Sequence, residues 1–221
     1  ILDFESVKVI KPGKFELDIV RLFKGEPMVY RLEEGKYIID LAETFKNIKN
    51  DDWVFASYRG HYHALLKGIP IDLLKQQIIE GRSMFIINKK YKFYSSSIVP
   101  GQLPIALGTA LALKLRKSSS HVWAFCGDMA SETGVFHECV KFAEGHNLPI
   151  TFVVEHDGLS VYTPTKDVWG TSSFNPSGRE LTKFSMDKRA ESNNSRILRY
   201  SYDRSWPHHG IGVWLDFKDI K

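Results

Sequence analysis

A chain of 221 residues, 43% of them apolar, can close a sizeable core, which excludes an intrinsically disordered protein. Thirty Lys and Arg against 26 Asp and Glu leave a net charge of +4 with no dense basic cluster, so no nucleic-acid partner is expected. No run reaches the ~18 apolar residues that cross a bilayer, and the residues from Ile1 onward lack a signal-peptide pattern, so the expectation is no membrane and a cytoplasmic or organellar-matrix location.

Residues 1–35 are mixed, with LDIVRLF at 17–23 the one clearly amphipathic piece, and are expected to pack as a flank. Over 37–48 the apolar residues Ile38, Ile39, Leu41, Ala42, Phe45 and Ile48 trace one face of a helix. The turn Lys49-Asn50-Asp51-Asp52 then predicts a strand at 53–56. That strand delivers Tyr58, Arg59, Gly60, His61 and His63 at its carboxyl end. Arg59 can fork two N–H groups onto phosphate oxygens, Tyr58 can donate an O–H to the same group, and Gly60 lets the backbone approach. Taken alone, Tyr58 and Arg59 are equally an edge pair at the surface, with both histidines incidental.

Pro70 opens a helix through Ile71, Leu73, Leu74 and Ile78 that stops near Gly81. Residues 95–104, SSSIVPGQLP, lead into IALGTALALKLRK, which is apolar nearly all round and predicts a buried helix with Pro104 in its first turn.

Residues 121–162 organise the chain. HVWAFC at 121–126 reads as a buried strand that turns at Gly127 and Asp128. Ser131 is a candidate N-cap for a helix whose residues Val135, Phe136, Cys139, Val140 and Ala143 mark one buried face. Asn147 and Pro149 stop that helix, and ITFVV at 150–154 makes a second strand, ending in Glu155, His156 and Asp157. In such a β-α-β unit the strands are parallel, so Asp128 and Asp157 both lie beyond carboxyl ends, where open parallel sheets place ligands. Two close carboxylates repel unless a proton or cation lies between them, and with a diphosphate and water they complete an octahedral Mg²⁺ site. The start of the helix adds free N–H groups for a phosphate. A Gly-Asp turn after a strand is by itself common and usually only solvated. Cys126 and Cys139 read as small core residues.

Beyond this unit, residues 165–195 are polar with no sustained period, which predicts a functional or disordered loop. RILRYSY at 196–202 reads as the last inner strand, followed by Trp206-Pro207-His208-His209-Gly210.

Three of these stretches, in this order, resemble the alpha subunits of thiamine diphosphate-dependent 2-oxo acid dehydrogenases, the first component of pyruvate, branched-chain and acetoin dehydrogenases. Tyr58, Arg59 and His61 match a Tyr-Arg-x-His motif, and residues 98–104 match an Ile-Val-x-x-Gln-x-Pro motif. Gly127-Asp128-Met129 and His156-Asp157 match the thiamine diphosphate motif, with the aspartates 29 residues apart. Met129 replaces a third Gly, Asp157 replaces a metal-binding Asn, and Ser97 stands where Gly is usual. The family's further helix-bearing unit is abridged at 165–195.

The resemblance implies an α/β fold, a doubly wound parallel sheet forming one thiamine diphosphate-binding domain over 1–221. It implies Mg²⁺ held by Asp128, Asp157 and the Leu159 carbonyl, and diphosphate held by Tyr58, Arg59, Gly127, Met129 and Ala130. Ser97 and Val99 would receive the aminopyrimidine ring by backbone groups, and His61 and His209, with His208 close behind, would steer protons. The implied partners are a 2-oxo acid substrate, a lipoyl-bearing acyltransferase, and a beta-type subunit whose pyrimidine-binding domain carries the activating Glu, in an α2β2 assembly. A transketolase-like or carboligase half and a non-catalytic cofactor-binding subunit are the rivals. Asp157-Gly158-Leu159-Ser160 suits the transketolase reading, but Tyr58-Arg59 and 98–104 favour the dehydrogenase subunit.

Overall fold

The computed structural model describes residues 7–11, 14–17, 48–58, 60–82, 84–170 and 196–201. Arg59, His208 and His209 lie outside the described residues, as do positions 37–47 of the first expected helix and positions 171–195 of the polar stretch. The chain divides into two compact units, Ile1–Lys49 and Asn50–Lys221. In the first, β1 (Val7–Lys11) pairs antiparallel with β2 (Lys14–Leu17).

The second unit opens with β3 (Trp53–Ser57), α1 (His61–Leu66) and α2 (Ile71–Ile79). There follow β4 (Ile87–Asn88), β5 (Phe93–Ser96), α3 (Gln102–Leu115) and β6 (Val122–Gly127). Next come the one-turn α4 (Asp128–Ser131), α5 (Gly134–Gly145) and β7 (Ile150–His156). A hairpin of β8 (Leu159–Ser160) and β9 (Thr163–Pro164) leads to α6 (Thr165–Trp169), and β10 (Arg196–Ser201) completes the described elements. One six-stranded sheet runs β10-β7-β6-β3-β5-β4, parallel at every pairing except β4 with β5.

The apolar runs of β6 and β7 are near-continuous, interrupted by the buried Thr151, because the sheet is covered on both faces. Val122, Ala124, Cys126, Ile150, Phe152 and Val154 point to one face. There they join a buried cluster with Leu103, Ala106 and Ala110 of α3 and Phe136, Cys139 and Ala143 of α5. The alternate residues point the other way, and the His63 ring of α1 lies on Phe125 at 4.6 Å between centroids. Helices on both faces of a largely parallel sheet make this a doubly wound α/β fold.

Several local expectations are corrected. The helix expected from Ser131 is two pieces: Thr133 caps α5 by accepting from the Phe136 N–H at 3.3 Å, while the Ser131 hydroxyl donates to the Asp128 carbonyl at 2.7 Å. Val135, expected on the buried face, is exposed. The helix α3 is not buried all round. Its small residues Ala106 and Ala110 face the sheet, whereas Ile105 and Leu115 are 45% and 74% exposed. Residues 196–201 form a strand, but it lies at the edge of the sheet among the described residues, beside β7. The polar stretch begins as helix: Thr165, 5% exposed, anchors α6 by donating from its N–H and its hydroxyl to the Gly158 carbonyl, at 2.9 and 3.2 Å. No helix among the described residues is long and apolar enough to cross a membrane.

Candidate functional site

From β3 the chain proceeds to β5 on one side, and α3 then carries it back to β6 on the other. The strand order therefore reverses between β3 and β6, and the crevice beyond their carboxyl ends is where sheets of this kind bind ligands. The loop with Tyr58 and Gly60 leaves β3 at this point, and the turn at Gly127 and Asp128 leaves β6 beside it.

Gly60 is buried, and an added Cβ would lie 3.0 Å from the Ala56 Cβ and 3.2 Å from both the Ser57 carbonyl oxygen and the Ser95 Cβ. Only glycine lets this loop run so close to the end of β3. The N–H of Tyr58 donates to the Ser96 carbonyl at 2.8 Å, extending the β3–β5 ladder. Gln102, fully buried at the start of α3, donates through Nε2 to the Ser57 hydroxyl at 2.7 Å and to the Phe125 carbonyl at 2.9 Å. It ties together the ends of the two strands that border the crevice. Ser97 and Val99 lie in the exposed turn between β5 and α3, where the Ser96 hydroxyl accepts from the Ile98 N–H at 3.1 Å and the Val99–Pro100 bond is cis.

Asp128 is only 5% exposed. Its Oδ1 accepts from the Met129 N–H at 3.0 Å, and its Oδ2 lies 3.0 Å from Nδ1 of His156. That hydrogen bond raises the His156 pKa above its ordinary value, against the opposing effect of burial. Asp157 stands just beyond β7, which pairs with β6 so that Gly127 faces Glu155. Its Oδ1 accepts from the Leu159 N–H at 3.1 Å, and Gly158 between them has φ +72°, the left-handed region. Met129 and Ala130 follow Asp128 in α4, Ala130 in the core and Met129 half-buried. His61 is the first residue of α1, beside Gly60.

The structure thus gathers Tyr58, His61, Gly127, Asp128, Met129, Ala130, Asp157 and Leu159 at the carboxyl ends of β3, β6 and β7. Ser97 and Val99 lie on the loop after neighbouring β5. Arg59 and His209 are outside the described residues. The donor set suits a magnesium–diphosphate group: two carboxylates and a carbonyl offer only oxygen, and an added Cβ at Gly127 would meet nothing within 4 Å, which leaves room at the turn. Among the described residues no three His, Cys, Asp or Glu side chains are grouped to hold a metal by themselves, so such an ion would draw its remaining ligands from diphosphate and water.

His63, Glu155 and Gln102 were named in the sequence without a role, and Trp169 and Arg199 were not singled out. His63 meets Glu155, Nε2 to Oε1, at 3.1 Å. The Trp169 indole N–H reaches the Met129 sulfur at 2.9 Å. Arg199 on β10 donates to the Ser131 hydroxyl at 3.4 Å and lies over the Phe136 ring, and burial pushes its pKa down against the pull of Glu132. Gln102 had a visible signal, its place in the Ile-Val-x-x-Gln-x-Pro stretch; the others rest on contacts between distant stretches.

Residues 24–179 match the family described as Dehydrogenase E1 component. Subunit alpha of acetoin:2,6-dichlorophenolindophenol oxidoreductase from Cupriavidus necator is 32% identical over 174 residues, 74% of this chain and 49% of that one. The subunit of the same name from Bacillus subtilis is 31% identical over 128 residues, 53% of this chain and 38% of that one. The chloroplastic pyruvate dehydrogenase E1 component subunit alpha-3 of Oryza sativa subsp. japonica is 32% identical over 145 residues, 55% of this chain and 34% of that one. The chain spans about a third to a half of the length of these relatives.

Proposed function

The chain belongs to the dehydrogenase E1 component family, and from that premise we propose that it is the alpha-type part of a thiamine diphosphate- and Mg-dependent enzyme. Its reaction would decarboxylate a 2-oxo acid and pass the remaining acyl or aldehyde fragment to an acceptor. The observation that carries this reading is the placement of Asp128 and Asp157 at the ends of adjacent parallel strands, beside the reversal between β3 and β6.

Thiamine diphosphate, when bound, supplies the electron sink for breaking a bond next to a carbonyl. Tyr58 and Arg59 hold the diphosphate, with the backbone of Gly127, Met129 and Ala130 facing the same group. Asp128, Asp157 and the Leu159 carbonyl hold Mg²⁺, whose charge offsets that of the carboxylates and phosphates. Ser97 and Val99 offer backbone groups to the aminopyrimidine ring. His61 and His209 exchange protons at their ring nitrogens with the reacting fragment.

In this reading a beta-type subunit supplies the pyrimidine-binding half and its activating Glu, in an α2β2 assembly with closed two-fold symmetry. A lipoyl-bearing acyltransferase takes the product fragment. A second reading, cleavage of acetoin in place of a 2-oxo acid, draws support from the names of the two oxidoreductase relatives. The same carbon–carbon chemistry serves both.

The test is reconstitution with the cognate beta-type subunit, assayed with pyruvate, branched-chain 2-oxo acids and acetoin in the presence of Mg²⁺ and thiamine diphosphate. A heteromer with turnover that neither chain shows alone is expected. Turnover by this chain alone overturns the need for a partner, and cofactor binding by the mixture without turnover on any of these substrates favours a non-catalytic subunit.

A further inference from the structure

Nε2 of His63 and Oε1 of Glu155 lie 3.1 Å apart, with only 12% and 21% of their side chains exposed. His63 sits in the first turn of α1, directly after the loop that carries Tyr58 and His61. Glu155 sits at the end of β7, two residues before Asp157. Strand order places β6 between β7 and β3, so the contact passes above β6, where the His63 ring rests on Phe125 with centroids 4.6 Å apart. One hydrogen bond therefore joins the arm that holds Tyr58 to the arm that holds Asp157, over the strand that delivers Asp128. The carboxylate oxygen can only accept, so Nε2 of His63 is the donor in this link.

We propose that His63 and Glu155 are a positioning pair that sets the spacing between the diphosphate-holding loop after β3 and the metal-holding loop after β7. The inference rests on the function proposed above and adds residues to which that reading gives no role. A pair that served only to stabilise α1 would contribute equally with and without ligand. A pair that sets spacing matters most when one ligand must engage both loops, because a bound geometry displaced by a fraction of an ångström loses contacts at one end. The two residues should then act as a unit in binding the magnesium–diphosphate group, and removing the second after the first should cost little more.

The experiment is calorimetric titration of Mg²⁺ plus thiamine diphosphate into the unaltered chain and into His63→Gln, His63→Leu, Glu155→Gln and the His63→Leu/Glu155→Gln double variant, each reconstituted with the cognate beta-type subunit. Thermal melting of each chain without ligand runs in parallel. His63→Leu and Glu155→Gln are each expected to weaken binding about tenfold, the size of one charge-assisted hydrogen bond, and the double variant no more than about twofold further. His63→Gln, whose amide can still donate to Glu155, should recover most of the affinity. Additive losses overturn the inference, as does unchanged binding in variants whose ligand-free melting temperature falls. If His63→Leu does not fold, the contrast between Glu155→Gln and His63→Gln decides the matter: weakened binding in the first with near-normal binding in the second supports the pair, and equal affinities overturn it. Tight binding by the unaltered heteromer, matched by every variant, removes this inference alone, whereas no binding by the unaltered heteromer removes the proposed function and this inference with it.

Discussion

The indole N–H of Trp169 donates to the sulfur of Met129 across 2.9 Å. Met129 follows Asp128 in the turn after β6, and Trp169 is the last residue of α6, whose first residue, Thr165, is tied to the Gly158 carbonyl. The helix therefore bridges the loop of Asp157 and the turn of Asp128. Ligand at that turn should perturb the indole, which is 45% exposed. Adding Mg²⁺ and thiamine diphosphate is expected to change tryptophan emission, with most of the change lost in Trp169→Phe although four other tryptophans remain. An undiminished change in that variant would place the perturbation elsewhere.

Metal removal should abolish cofactor binding. Asp128 is buried, and Asp157 stands at the end of the next strand, so a diphosphate brought here without a cation meets like charge. In calorimetry, thiamine diphosphate is expected to bind only when a divalent ion is present, and Asp128→Ala is expected to lose that binding. Equal affinity in excess chelator would remove the metal assignment.

Arg59→Lys should weaken cofactor binding by roughly 1.5–3 kcal/mol, because an ammonium cannot reproduce a two-pronged guanidinium contact with phosphate. The melting temperature of the ligand-free chain should stay where it is. A large fall in that temperature would identify Arg59 as structural.

Gly60→Ala should destabilise the ligand-free protein by about 1–3 kcal/mol, since its Cβ must displace the Ala56 Cβ at 3.0 Å or the carbonyl of Ser57 at 3.2 Å. Urea unfolding measures this. A midpoint equal to that of the unaltered chain would mean that the loop after β3 relaxes freely.

Neither thiol should react in the native protein near neutral pH. Cys126 is fully buried, with its pKa raised by burial and by neighbouring Glu155. Cys139 is 4% exposed and pushed up to about 11, chiefly by burial. A raised thiol pKa keeps the unreactive protonated form through the neutral range, and thiolate accumulates only as pH climbs toward that value. A chromogenic disulfide reagent at pH 8 should label both cysteines only in denaturant, and labelling of the native protein would contradict their burial.

The β6–α5–β7 unit was legible in the sequence because its signals are local. Five apolar residues in a row at 122–126, and four of five with a buried Thr151 at 150–154, record strands covered on both faces, and the acidic residues after each run mark the ends of the strands. The strand ahead of Tyr58 was readable for the same reason. By contrast β5, FYSS, carried no apolar alternation, because Ser95 and Ser96 are buried with their hydroxyls accepting from the N–H groups of Ile86 and Ile98. Such satisfaction depends on what lies across the strand. The partial exposure of α3 was hidden too, since apolar residues all round a helix do not say which side the sheet takes. That β3 lies beside β6, so that the Tyr58 loop and the Asp128 turn share one crevice, is a pairing between stretches some seventy residues apart. The contact of His63 with Glu155 spans ninety-two. Residue types and spacing determined which side chains could hold a metal and a diphosphate; the order of the strands decided that they meet, because parallel neighbours are chosen by packing across the whole sheet and leave no trace in either strand alone.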